Sequence, residues 1–165
     1  MGALPGTTGR RRLYLMRHGF VDYTSPEVRA AQDPSIAYLT EQGRIEAKAA
    51  GIALSDVHID AAFYTGLRRT QETAEIVLAQ HEKDTLPLES EPRFKELRSG
   101  QYIDFKSAEH LAATMTFQFE QAGKPGATFL EGGEKFSDAM DRIEDGLKGL
   151  LSRTGWASAL HVAHE

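Results

Sequence analysis

Leu13-Tyr14-Leu15-Met16-Arg17-His18-Gly19 decides how the rest of the chain is read. Its apolar run is too short for a helix and predicts a buried strand over 13–16, and the glycine permits a sharp turn at its end. An arginine and a histidine are thereby delivered to the carboxyl end of a strand. The same construction returns late in the chain, where residues 156–163 read as a strand that ends at His164. Between the two, residues 59–64 predict another strand. It runs into Thr65, which caps a helix from 67 to about 80, with Leu67, Ala74, Val77 and Leu78 on the inner face.

The remaining elements follow from caps and periodicity. Thr40 caps a helix reaching about residue 54, with Glu41 favourable in its first turn. Residues 86–88 predict a short strand, and 107–121 and 134–152 predict helices. On the last of these, Phe136, Met140, Ile143, Leu147 and Leu150/Leu151 fall on one stripe and are assigned to the core. Residues 20–38, with Pro26 and Pro34, read as mostly loop. Residues 1–11 read as a flexible tail, with Arg10, Arg11 and Arg12 solvated rather than docked. Strands alternating with helices predict an α/β fold. We expect three layers, a mainly parallel sheet flanked by helices, in a single domain over 12–165.

Composition narrows the function classes. The chain has 165 residues, 19 Lys+Arg against 24 Asp+Glu, a net charge of −5 and no cysteine. Mixed signs with an acidic excess argue against general nucleic-acid binding, which wants a basic face. Without cysteine there is no disulfide scaffold, thiolate metal site or cysteine nucleophile, and a reducing cytoplasm fits. No apolar run approaches a membrane span, and the first residues lack the apolar core of a secretory signal.

In open α/β sheets, ligands bind beyond the carboxyl ends of the strands. That edge collects Arg17 and His18, the helix start with Arg68 and Arg69, and His164. Arginine forks match phosphate oxygens, and a helix start adds backbone N–H donors for an anion. A neutral imidazole among such cations is a nucleophile toward phosphorus. The composite is a phosphate pocket containing a histidine. His58, His81 and His110 are expected at the surface, and His161 is expected beneath the pocket.

The stretch 13–19 resembles the signature of the histidine phosphatase superfamily, also called the phosphoglycerate mutase-like family. The resemblance continues in order. Leu39-Thr-Glu-Gln-Gly43 is similar to the family's "LTxxG" segment, and residues 64–74 to the element that carries its pocket arginine, here Arg69 rather than Arg68. Residues 94–100 resemble the segment carrying its acid, here Glu96. Gly132-Gly-Glu134 with Arg142 resembles its "G-G-E…R" helix start, and residues 160–164 the strand delivering the second histidine.

The resemblance implies a role for each matched residue. His18 attacks the phosphoryl group of a small phosphorylated substrate and carries it as phosphohistidine. Arg17, Gly19, Arg69 and His164 bind the substrate, and the charged members offset the charge that develops in transfer. Glu96 protonates the leaving oxygen and then takes a proton from water. No metal and no cofactor is called for, because arginines and histidines supply the positive charge. The expected activity is phosphomonoester hydrolysis. The alternatives are a phosphoglycerate mutase-type phosphotransferase and a non-catalytic phosphate-binding regulatory module.

Two departures from the pattern stand out. Phe20-Val-Asp-Tyr23 replaces the family's acidic residue and Trp-Asn, which removes a usual phosphate donor and argues against a glycolytic mutase. The sequence also stops at Glu165, where the family continues, so the domain is expected to lack its C-terminal part. A carboxyl terminus there would put negative charge beside the pocket. It would also leave apolar surface open, for which self-association, most simply as a homodimer, is the alternative expectation.

Overall fold

In the computed structural model, which describes residues 10–81 and 86–164, a parallel four-stranded sheet runs in the order β1-β4-β2-β3. The strands are β1 (Arg12–Arg17), β2 (Ala61–Tyr64), β3 (Leu88–Ser90) and β4 (Ser158–Ala163). The helices are α1 (Pro26–Ala31), α2 (Glu41–Ala53), α3 (Arg68–Leu78), α4 (Ala108–Gln121) and α5 (Phe136–Ser152). The expected α/β architecture is therefore present. Residues 1–9 of the expected tail and the Glu165 carboxylate lie outside the described residues. No helix among the described residues is long and apolar enough to cross a membrane.

β4 is an interior strand between β1 and β2, and its two faces are sealed by different helices. Leu160 and Val162 pack with Ala62, Ala74 and Val77 toward α2 and α3. Ala159 packs with Phe63, Leu150 and Trp156 toward α5. Each fully buried Phe, Leu or Val contributes roughly 1.5–3 kcal/mol relative to exposure, which explains why this strand anchors the fold.

Several expectations are corrected. β1 is not a buried strand: it pairs with β4 at an edge of the described sheet, and Leu15 is 64% exposed. The segment 20–38 is not mostly loop. Ser25 caps α1 by accepting from Val28 N–H, Pro26 occupies its first turn, and a 3₁₀ turn follows over Pro34–Ile36. β3 lies two residues later than 86–88.

The face of α5 is also rotated from the expected stripe. Met140 and Leu147 are exposed, whereas Ala139, Gly146 and Leu150 are buried. The cause is close approach. A Cβ on Gly146 would stand 2.9 Å from the Phe94 ring, so this side of the helix seats against the 3₁₀ turn Pro92–Phe94 and turns the larger residues outward. Arg11 is likewise not solvated. Its guanidinium lies over Trp156 and donates to the Leu151 and Arg153 carbonyls, satisfying the end of α5.

Two backbone segments meet beneath the site. A Cβ on Gly19 would lie 2.3 Å from Gly43 O, and one on Gly43 would lie 2.3 Å from Phe20 O. Only glycine at both positions lets α2 approach the turn after β1. Thr40 N–H donates to Phe20 O, and the Thr40 hydroxyl caps α2 by accepting from Gly43 N–H. We expect Gly43→Ala to cost about 1–3 kcal/mol, the usual range for forced overpacking. Urea unfolding checks this, and an unchanged midpoint would mean the two segments can part without penalty.

Candidate active site

The sheet register explains why the two histidines meet. Arg17 is paired with Ala163 at the ends of β1 and β4, and His18 N–H extends the ladder to Ala163 O at 3.1 Å. The next residue on each strand is thus a histidine, and the two rings sit edge to face with centroids 5.3 Å apart. On the other side of β4, Tyr64 pairs with Val162, which carries Thr65 alongside; its hydroxyl oxygen is 2.9 Å from His164 Nε2. Thr65 is therefore not the cap of α3. Leu67 occupies that position without a side-chain bond, and Thr65 instead links His164 to the Thr70 hydroxyl.

His18 is held in one tautomer. Its Nδ1–H donates to Gly19 O at 2.8 Å, which leaves Nε2 with the lone pair. Arg69 agrees with that assignment, because its Nε–H donates to His18 Nε2 at 3.2 Å while Nη1 donates to Ser35 O. Arg69 is 2% exposed, whereas Arg68 points away and stacks on Tyr38. Arg17 ends β1 with its side chain exposed, and its charge acts on His18, Tyr23 and His164. Gly19 contributes its carbonyl to His18; its N–H is already donated to Thr73 Oγ1.

Electrostatics keeps both rings neutral. Burial pushes His18 down to about 4, against the pull of the Gly19 carbonyl, and Arg69 and Arg17 deepen the fall. His164 is pushed down to about 3 by burial first, then by Arg69 and the neighbouring rings. A neutral, oriented imidazole that carries its lone pair on Nε2 is the nucleophilic form.

Glu96 approaches from the loop after the Pro92–Phe94 turn. Its Oε2 lies 3.3 Å from His164 Nδ1, and its side chain is 41% exposed, so the carboxyl group borders both the pocket and solvent. The structure thus brings Arg17, His18, Arg69, Glu96 and His164 to one sheet edge. Among the described residues, no group of three or more His, Cys, Asp or Glu side chains could hold a metal ion.

The sequence reading missed Tyr23. Its hydroxyl lies 3.4 Å from His18 Nε2, and its ring faces the Arg69 guanidinium at 5.7 Å. Burial raises its pKa, so it stays a neutral donor. Its place in the segment that departs from the family pattern was the available signal. Of the other histidines, His58 is exposed and paired with Asp60, His110 is exposed, and His81 is half-buried. His161 does lie in the core, with its ring 4.5 Å from that of Phe94.

A 2,3-bisphosphoglycerate-dependent phosphoglycerate mutase of Bartonella henselae is 37% identical over 93 residues, covering 54% of this chain and 44% of that protein. The aligned stretch thus spans less than half of that relative. The α-ribazole phosphatase of Shigella flexneri superposes with a TM-score of 0.68 at 23% identity, covering 93% of this chain and 74% of the other. A mycobacterial glucosyl-3-phosphoglycerate phosphatase, in complex with inorganic phosphate, gives 0.68 at 21% identity, covering 93% and 73%. A phosphoglycerate mutase of Bacillus anthracis gives 0.65 at 24% identity, covering 92% and 74%. These likenesses establish the phosphoglycerate mutase-like fold. A family model described as histidine phosphatase superfamily (branch 1) matches residues 13–165, and the chain belongs to that superfamily.

Proposed function

We propose that the chain is a metal-independent phosphomonoester hydrolase that works through a phosphohistidine on His18. The observation that carries this reading is the orientation of His18: Nδ1–H is tied to Gly19 O, Nε2 faces Arg69 and Tyr23, and the ring lies 5.3 Å from that of the second histidine.

In the first step the Nε2 lone pair forms a bond to phosphorus and the ester P–O bond breaks. Glu96 gives its proton to the departing alkoxide. Arg69 shifts its donor from Nε2 to a phosphoryl oxygen, with Arg17 and His164 completing the cradle. The imidazole gains positive charge as the N–P bond forms, and the Gly19 carbonyl stabilises it through Nδ1–H. In the second step water attacks phosphorus, Glu96 takes its proton and the N–P bond breaks. Neutral His18 and inorganic phosphate result.

The second reading is a mutase, favoured by the name of the Bartonella henselae relative. Against it stands the segment Phe20-Val-Asp-Tyr23. A mutase returns the phosphoryl group to an acceptor hydroxyl, so water must be kept from the intermediate. We place the protein in the cytoplasm, consistent with the lack of cysteine. The test is a panel of sugar phosphates, phosphoamino acids, nucleotides and phosphoglycerates, with EDTA present. We expect phosphate release that EDTA does not reduce. Isomerisation of phosphoglycerate without phosphate release would favour the mutase, and loss of activity with EDTA would overturn the metal-free assignment.

A further inference from the structure

Glu96 stands on a loop, yet an acid that must reach a leaving oxygen needs a fixed position. The backbone on both sides of it is gripped by one ion pair. Arg142, on the second turn of α5, donates from Nε to Glu134 Oε1 at 2.9 Å and from Nη2 to Glu134 Oε2 at 2.8 Å. Its Nη1 donates to Arg93 O at 2.6 Å and to Lys95 O at 3.1 Å, and Lys95 immediately precedes Glu96. Glu134 grips the other side: its N–H donates to Arg98 O at 2.9 Å, and its Oε2 accepts from Arg98 N–H at 3.3 Å.

The pair is half-buried, with side-chain exposures of 24% for Arg142 and 17% for Glu134, and its charge strengthens each of these bonds. None of them touches the pocket. The helix that supplies Arg142 is itself seated on the core through Leu150 and through Gly146 against Phe94.

We propose that Glu134 and Arg142 are positioning residues, a brace that holds the acid–base group Glu96 at the pocket by fixing the backbone from Arg93 to Arg98. The inference rests on the phosphohistidine reading above, in which Glu96 is the proton donor. Guanidinium is required because five donors in a planar fork can serve a carboxylate and two carbonyls together, whereas an ammonium group cannot.

The test uses leaving-group dependence, which a merely structural role does not move. Phenyl phosphate and 4-nitrophenyl phosphate are similar in shape, but the first needs protonation of its leaving oxygen far more. Glu96→Gln sets the reference pattern. We expect Arg142→Lys to lower kcat on phenyl phosphate about tenfold more than on 4-nitrophenyl phosphate, a fraction of the full general-acid contribution. Glu134→Gln keeps an acceptor oxygen and the backbone bond to Arg98 O, and is the milder variant should Arg142→Lys fold poorly. Its effect should be smaller and of the same kind. Equal losses on both esters, or no loss on either, in variants with an unchanged circular dichroism spectrum would overturn the brace. A wild-type chain that forms no phosphohistidine would overturn the underlying reading, whatever the variants do.

Discussion

Replacing Arg69 by alanine should lower kcat/KM by about 10³-fold, the upper scale for losing one preorganised donor to a developing charge. Arg69 is 2% exposed, donates to His18 Nε2 and is fixed by Ser35 O, so no solvent-borne cation replaces it. Arg69→Lys should recover little of the loss, because lysine offers a point charge instead of a fork. Arg68→Ala, by contrast, removes a guanidinium stacked on Tyr38 and should change kcat/KM by less than about threefold. Steady-state kinetics on a common substrate checks all three. Comparable losses for Arg68→Ala and Arg69→Ala would mean that net charge, not the placed fork, supports the reaction.

The second large effect concerns stability in acid. His18 and His161 are held down to about 4 and His164 to about 3, with burial the largest cause in each. Unfolding returns each ring to the ordinary value of 6.5. The unfolded chain therefore binds more protons below that value, and the stability present above pH 6.5 is lost as pH falls toward 4. Shifts of this size correspond to roughly 3–5 kcal/mol per ring, a large share of the roughly 5–15 kcal/mol available to a domain. Urea midpoints should fall steeply from pH 6.5 to 4. His161 is 0% exposed and packs on Phe94, so His161→Phe should flatten the fall by its own share. A midpoint constant down to pH 4 would mean the buried rings accept protons without cost.

Both effects depend on residues of very different legibility. The strand ends carrying His18 and His164 were readable, because short apolar runs and a glycine announce them. Their meeting required the parallel register of β1 with β4, which periodicity does not encode. The six-residue helix α1 was hidden for want of a full hydrophobic period, although Ser25-Pro26-Glu27 carried the cap and first-turn signals. The stripe on α5 misled because Gly146 looks like a weak point in a helix, yet it marks the contact face. Thr65 looked like a cap because nothing local showed that its hydroxyl serves His164 across the sheet. Tyr23 and the Glu134–Arg142 pair stood in segments the sequence marked, but the contacts they make were hidden for the same reason. Their partners lie on other segments, so their work is visible only once the chain is folded.

In the proposed reaction the phosphoryl group passes through Nε2 of His18. Rapid quenching with a radiolabelled phosphomonoester tests it most directly, followed by mapping of the label. The expected result is an acid-labile, base-stable label on His18 that discharges to water as inorganic phosphate and is absent from His18→Ala. Turnover by His18→Ala at the wild-type rate, or a label resting on any other residue, would contradict it.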